Sequence, residues 1–532
     1  MKKLYAVLII ILFSALLTSC SAGPADGPSA EDLSATDAQP SPQEQKVLRI
    51  AAGRSFRQGR STSTYLHFST NVWESLVLFD DSMEPMMVLA ESIIPSDDGL
   101  TWTINLREGI SLHDGSVLNA KVAAFNLERL FRYNPVAQKF DPEFARTGEF
   151  GQITNISAIS EYSLTVTHLI PVPDFPARLS MGNSAMFALS SFDEDRVIMH
   201  PYGSGPFIYS HYDERNHVLR LQRFERYRLG KPSVETVYFF SIPDASTRLA
   251  ALQSDEIDVI ADVGGVLPQQ ANEIISNPDL VLKQRQVSTV HYIALNSFEG
   301  SLFSDVRMRN AVSLSIDREM IVDVMLQGFG VPAISVITDL SAEWVVNANY
   351  RFDPDEAAAL VHQAMGNQVP DAVILINSAW MGRWPYQDVA LMFQAQLIQI
   401  GINALVEIVD NATWSERMRG GDYDIALHPA TISAGEPIYF FVRVIESNGP
   451  DNISRGYGIN NPDMDALIAR AAGEIDVGLR REFIAELQYK VREADYIVPI
   501  WYDVTLYAMN ARVLDFELDV LFRPDLFGVR VK

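Results

Sequence analysis

Residues 98–130 read DGLTWTINLREGISLHDGSVLNAKVAAFNLERL. The run Trp102-Thr103-Ile104-Asn105-Leu106 alternates apolar with polar, the pattern of a strand that buries one face. Gly109, Asp114 and Gly115 then supply turn chemistry. Asn119 is suited to cap a helix, and Ala123, Leu127, Leu130 and Phe131 recur on the single face of such a helix. The stretch therefore predicts a strand, a turn-rich connection and an amphipathic helix.

The same alternation extends outward. Val47 to Ala51 reads as a strand entering a polar loop, Arg54 to Thr64; Ile153 to Leu169 reads as a hairpin turning near Ser160-Glu161; Val218 to Leu221 and Val237 to Phe240 read as strands. Farther on, Ala311 to Leu326 and Pro385 to Ile400 predict helices, the second stopped by Gly401 and followed by a strand from Ile402 to Ile408. Asn461-Pro462 is a cap with Pro at the first helical position, and Phe483, Leu487 and Val491 mark another helix. Strand, helix and strand in succession predict the α/β class, a sheet covered by helices.

The 532 residues are 48% hydrophobic, enough for two or three packed domains. A net charge of -25 argues against nucleic acid and anionic lipid surfaces as partners, since both usually call for a basic face. The N-terminal MKKLYAVLIIILFSALLTSC has two lysines before a short apolar run, as a secretory signal does. Its end, Leu17-Thr18-Ser19-Cys20, resembles a lipobox, which implies cleavage after residue 19, lipid on Cys20 and an extracytoplasmic, membrane-anchored protein. Cys20 is the single cysteine, so no disulfide forms within the chain. Residues 20–45 are rich in Ser, Ala, Pro, Asp and Gly and predict a flexible tether. Nothing in the sequence matches GxSxG, GxxxxGK[ST] or HExxH, and its nine His are scattered, so neither an enzyme nor a resident cofactor is expected and any metal role is left undefined.

The opening stretch resembles the pattern D-G-x-T-W-T-F-x-L-R-x-G-V-x-F-H-D-G-x-P of the family 5 extracellular solute-binding proteins, the peptide and nickel binders of ABC importers. Further blocks follow in the family's order: Gly203 to Phe207, Tyr227 with Gly230-Lys231-Pro232, Ile242-Pro243-Asp244 with Arg248, Asp305 to Ala311 with Ile316-Asp317, Gly328 to Ala333, and Gly421-Asp422-Tyr423-Asp424. Asp255 stands where the family commonly has Gly, at a place where Asp tolerates a left-handed backbone. The motif residues Trp102, Gly109, Asp114 and Gly203 are expected to hold the fold and not to touch ligand. The resemblance implies a two-lobed periplasmic-binding-protein-like fold with an extra α+β domain inserted in the first lobe. Lobe I would combine 46–70, 195–285 and 495–532, the extra domain 71–194, and lobe II 286–494. It also implies a monomer that captures a peptide or metal chelate and passes it to ABC permease subunits.

Peptide-binding relatives place an Asp before a Glu-Pro or Asp-Pro pair to hold the ligand's amine. Here Ser433 occupies that place ahead of Glu436-Pro437, so the charge is missing unless Glu436 supplies it. The nickel branch carries an Arg expected within Leu179 to Phe192, which has none, and a Trp where Thr431 or Ile432 stands. The ligand is thus left open between peptide and metal chelate. Candidate ligand residues are Tyr65, His67, Trp380, Arg383, Trp384, His428 and Glu436. Trp380-Met381-Gly382-Arg383-Trp384-Pro385-Tyr386 offers flat apolar walls and a bidentate carboxylate donor. A ligand-sensing lipoprotein and an extracytoplasmic hydrolase are the alternatives to an importer component.

Overall fold

The computed structural model describes residues 46–57, 70–134, 139–142, 150–180, 185–341, 343–345, 350–431 and 437–532, all within one compact unit. The stretch that opens the sequence argument forms the strand Thr101–Leu106 and the helix Ala120–Phe131. Trp102, Ile104 and Leu106 are buried on one face, against Leu164 and Val166 of the neighbouring strand and Ala123, Leu127 and Leu130 of the helix. Asn119 caps the helix, its side chain accepting from the backbone of Lys121 and Val122 at 3.1 Å each. The strand lies inside a four-stranded antiparallel sheet ordered Ala90–Pro95, Thr101–Leu106, Ser163–His168, Ile153–Ala158. Gly203 is confined by the backbone of Val72 and Trp73: a Cβ there would lie 2.3 Å from the Val72 carbonyl oxygen.

The main sheet has eleven strands. Its first half runs Phe207–Asp213, Val218–Arg223, Thr236–Ser241, Val47–Ala52, Val259–Ile260, and its second half runs Ile425–Thr431, Asp371–Asn377, Asn403–Val409. Between them lie two long antiparallel strands, Leu280–Leu295 and Ile497–Asn510, and Gly330–Pro332 adds to the second of these. One end of the long pair, Leu280 to Gln286 with Val504 to Asn510, serves the first half; the other, Val290 to Ala294 with Ile497 to Tyr502, serves the second. The register shifts between Gln286 and Val290, so the ladder is interrupted where one half gives way to the other.

Both halves contain parallel pairs joined by helices, as the alternation predicts: Val47–Ala52 lies parallel to Thr236–Ser241 and Val259–Ile260, and Asp371–Asn377 to Asn403–Val409 and Ile425–Thr431. In the second half successive residues bury on opposite faces. Ile374 and Ile376 meet Val389, Phe393 and Leu397, whereas Leu375 joins Leu467 and Leu487. The helix expected from Ala311 to Leu326 is in fact several pieces. Val306–Ser315 begins earlier, at the Asp305 cap; Ile316 is extended; and Asp317 caps a short restart by accepting from the Met320 backbone at 2.9 Å. The apolar period runs through the break, and the capping competition at Asp317 decides it. Asp255 has the left-handed backbone anticipated, at φ 65°.

Candidate functional site

Parallel strands leave their C-terminal ends free to form sites, and here two such ends converge. Val259–Ile260 runs into Asp262 to Gly265, and Asp371–Asn377 runs into the Trp380 to Tyr386 loop. Asn377 starts that loop by accepting from the Ala379 backbone at 3.0 Å, and the helix Tyr386–Gln399 ends it. The loops touch: a Cβ at Gly264 would lie 2.1 Å from the Arg383 carbonyl oxygen, and the buried Arg248 donates to the carbonyl of Gly382 at 3.1 Å.

Asp262 is buried and accepts from Arg54 Nε and from its own neighbour's backbone, Val263, both at 2.8 Å. Burial opposes its ionisation, yet the Arg54 guanidinium, with Arg383 adding to it, holds the carboxyl below its ordinary value. Its Oδ2 has no hydrogen-bond partner among the described residues. Arg54 also lies 5.3 Å from the Phe522 ring centroid. Arg383 is half-buried, and among the described residues no hydrogen bond or ion pair engages its guanidinium. Burial lowers its pKa, the Asp262 carboxylate opposes that shift, and Arg54 adds to it.

The other residues of this loop take separate roles. Trp384 is buried, donates from Nε1 to Asp503 Oδ2 at 3.1 Å and stacks on Tyr386 at 5.5 Å, so it belongs to the packing at the junction. Beside it the fully buried His291 shares a 2.7 Å hydrogen bond with the Tyr386 hydroxyl and stacks on Trp501 at 4.1 Å. Trp380 is only partly buried and stands edge-on to Trp414 at 5.1 Å and to His428 at 4.8 Å. His428 is buried; Arg455 Nη1 donates to its Nδ1 at 2.9 Å, and burial followed by the Arg455 charge pushes its pKa well below the ordinary value. A neutral imidazole beside a cation is poorly placed to hold a metal. Among the described residues no group of three or more His, Cys, Asp or Glu has a metal-binding arrangement.

The sequence candidates Trp380, Arg383, Trp384 and His428 thus lie along one connected wall, whereas Tyr65, His67, Glu436, Ser433 and Cys20 fall outside the described residues. Sequence reasoning missed Arg54 and Asp262, which are far apart in the chain, and a cavity of about 240 Å³ lined by Arg443, Arg455 and Asp451. Arg443 and Arg455, on either side of Asp451, were the available signal. Trp102 and Gly203 sit in packing positions, and Asp114 closes its own turn by accepting from the Ser116 backbone at 2.9 Å.

Residues 84–452 match the family model described as bacterial extracellular solute-binding proteins, family 5. The chain is 24% identical over 443 residues to the glutathione-binding protein GsiB of Pectobacterium atrosepticum, covering 79% of this chain and 80% of that one. Its fold is similar to NikA from Brucella suis in complex with Fe(III)-EDTA, at TM-score 0.80 and 19% identity over 91% of this chain and 100% of that one. DppA from Helicobacter pylori, in complex with the peptide STSA, aligns at TM-score 0.76 and 20% identity over 91% of this chain and 98% of that one.

Proposed function

The chain belongs to the bacterial extracellular solute-binding proteins, family 5, a two-lobed α/β fold, and from that premise we propose that it closes its lobes over a carboxylate-bearing solute held by Arg383. The observation that carries the reading is the guanidinium of Arg383: half-buried where the two halves of the sheet meet, beside Asp262 and Arg54, and without a hydrogen-bond or ion-pair partner among the described residues. A buried charge is expensive unless it is paired, so a ligand carboxylate completes the site. Trp380 supplies a flat wall next to it. The names of the relatives point the same way, because a peptide, glutathione and an EDTA chelate all carry carboxylates.

Lobe I comprises 46–70, 195–285 and 495–532 with the extra domain 71–194 inserted, and lobe II comprises 286–494; the register interruption between Gln286 and Val290 is the hinge. The solute is handed to an ABC permease and not chemically changed, and lipid on Cys20 keeps the protein at the membrane. A screen of retained ligand by native mass spectrometry, followed by calorimetry, tests the site. Arg383→Ala is expected to weaken binding roughly ten- to over a hundredfold, the worth of a charge-assisted hydrogen bond of about 1.5 to 3 kcal/mol. Unchanged affinity would leave Arg383 as a spectator.

A further inference from the structure

A second cationic pocket opens on the same wall. Pro429 and Thr431, at the end of the strand Ile425–Thr431, join Tyr439, Arg443, Asp451 and Arg455 around the cavity of about 240 Å³. Thr431 is tied to the long strand through a 2.8 Å hydroxyl contact with Thr289, which places the mouth of the cavity beside the hinge. Tyr439 packs with the core of the extra domain, including Leu76 and Trp102, so the cavity borders both lobes. It is also continuous with the first site: Trp380 lies 4.8 Å from His428, and Arg455 donates to His428 at 2.9 Å.

Charge is unbalanced in this pocket. Among the described residues lining it, Asp451 is the one carboxylate, and it faces two guanidiniums. Arg443 donates to Asp451 Oδ1 at 2.6 Å and to the Tyr439 hydroxyl at 2.7 Å, while Arg455 reaches Asp451 only at 4.0 Å and otherwise meets His428 and, at 3.4 Å, the Tyr457 hydroxyl. His428 adds no compensating charge. Two arginines to one aspartate among the described lining residues, in a chain whose net charge is -25, mark a local cationic surface that a neutral or basic solute would not neutralise.

We propose that the solute carries at least two anionic groups: one meets Arg383, and a second enters the cavity between Arg443 and Arg455. The inference rests on the carboxylate reading of Arg383 and narrows it to polyanionic solutes, dicarboxylates and acidic chelates above simple peptides.

The probes are the linear dicarboxylates from succinate to suberate, citrate, and the monomethyl ester of each dicarboxylate, applied to the purified protein in thermal-shift and calorimetric titrations. The expected result is that at least one diacid raises the melting temperature and binds tenfold or more tightly than its own monoester. Arg443→Gln should then weaken that diacid at least tenfold and leave the monoester unchanged. Because Arg443→Gln strands Asp451, the paired variant Arg443→Gln with Asp451→Asn is titrated alongside and should show the same loss, with Arg443→Lys retaining part of the affinity. No shift with any polyacid, equal affinity for diacid and monoester, or full diacid affinity in both Arg443→Gln proteins would overturn the assignment. Arg383→Ala separates the two readings: undiminished binding of both diacid and monoester removes Arg383 from the site, whatever Arg443 does.

Discussion

Gly264 and Arg383 meet backbone to backbone: an added Cβ at 264 would sit 2.1 Å from the Arg383 carbonyl oxygen and 2.7 Å from its Cβ. Gly264 also has φ +61°, a conformation other residues adopt at a penalty. The two residues belong to different proposed lobes, so the contact is expected to tighten as the lobes shut. Gly264→Ala is expected to oppose closure by about 2 kcal/mol or more and to weaken ligand at least tenfold. Small-angle scattering with saturating ligand checks it. A variant that compacts like the wild type would show that the contact lies outside the closing surface.

Trp384 donates to Asp503, a carboxylate only 4% exposed that is otherwise met by the Thr505 hydroxyl at 3.5 Å and, farther off, by His291 Nε2 at 3.7 Å. Trp384→Phe keeps most of the packing and removes the short hydrogen bond, leaving buried charge under-satisfied. A loss of about 1 to 3 kcal/mol is expected, seen as a lower melting temperature without ligand. If stability is unchanged, Asp503 is being satisfied by another route.

Much of this scaffold was readable one segment at a time. Asn119, Asn461 and Gly401 act where their chemistry placed them, because capping and left-handed turns are decided within a few residues. The break after Ser315 was not readable, since the apolar period continues while Asp317 recaps. The site was half readable. Arg383 and Trp380 announce themselves in a short loop, but Arg54 meets Asp262 across 208 residues and Trp384 meets Asp503 across 119, relationships that only the sheet order creates. Likewise Arg443 and Arg455 become a pocket only once the helix Pro450–Arg455 folds back beside the turn Phe441–Ile445.

Two buried histidines, His113 and His168, set an acid limb on stability. His113 donates toward the Gly205 carbonyl at 2.9 Å and His168 toward the Phe150 carbonyl at 3.2 Å. Burial pushes both pKa values down to about 4, against the opposing hydrogen bonds and the neighbouring Asp114 and Asp174; near His168, Arg178 lowers further. The folded state therefore keeps both rings neutral while the unfolded chain protonates near pH 6.5. Their contribution is complete above that pH and is lost as pH falls from about 6.5 to about 4, up to roughly 3 kcal/mol for His168. His168→Gln retains a donor and does not titrate, so its stability should fall less steeply across this window. Parallel melting curves from pH 7 to 4 would contradict the assignment.

Arg248 is fully buried and has no carboxylate within hydrogen-bond reach among the described residues; carbonyl oxygens satisfy it instead. It donates to Ile242 and Pro243 at 2.8 Å, to Gly265 at 2.9 and 3.0 Å, to Gly264 at 3.4 Å and, across the junction, to Gly382 at 3.1 Å. A planar guanidinium fits this ring of acceptors, and an ammonium with three donors does not. Arg248→Lys should lower ligand-free stability by about 2 to 4 kcal/mol, since several carbonyls lose their donor. Only the Gly382 bond joins the proposed lobes, so a further loss should appear in ligand affinity. Gly264→Ala acts on the neighbouring contact, and the two substitutions together should weaken binding by less than the product of their separate effects, because once closure is spoiled the second has less to remove. Fully additive losses in calorimetry would mean that Arg248 holds lobe I alone and that closure depends on other contacts.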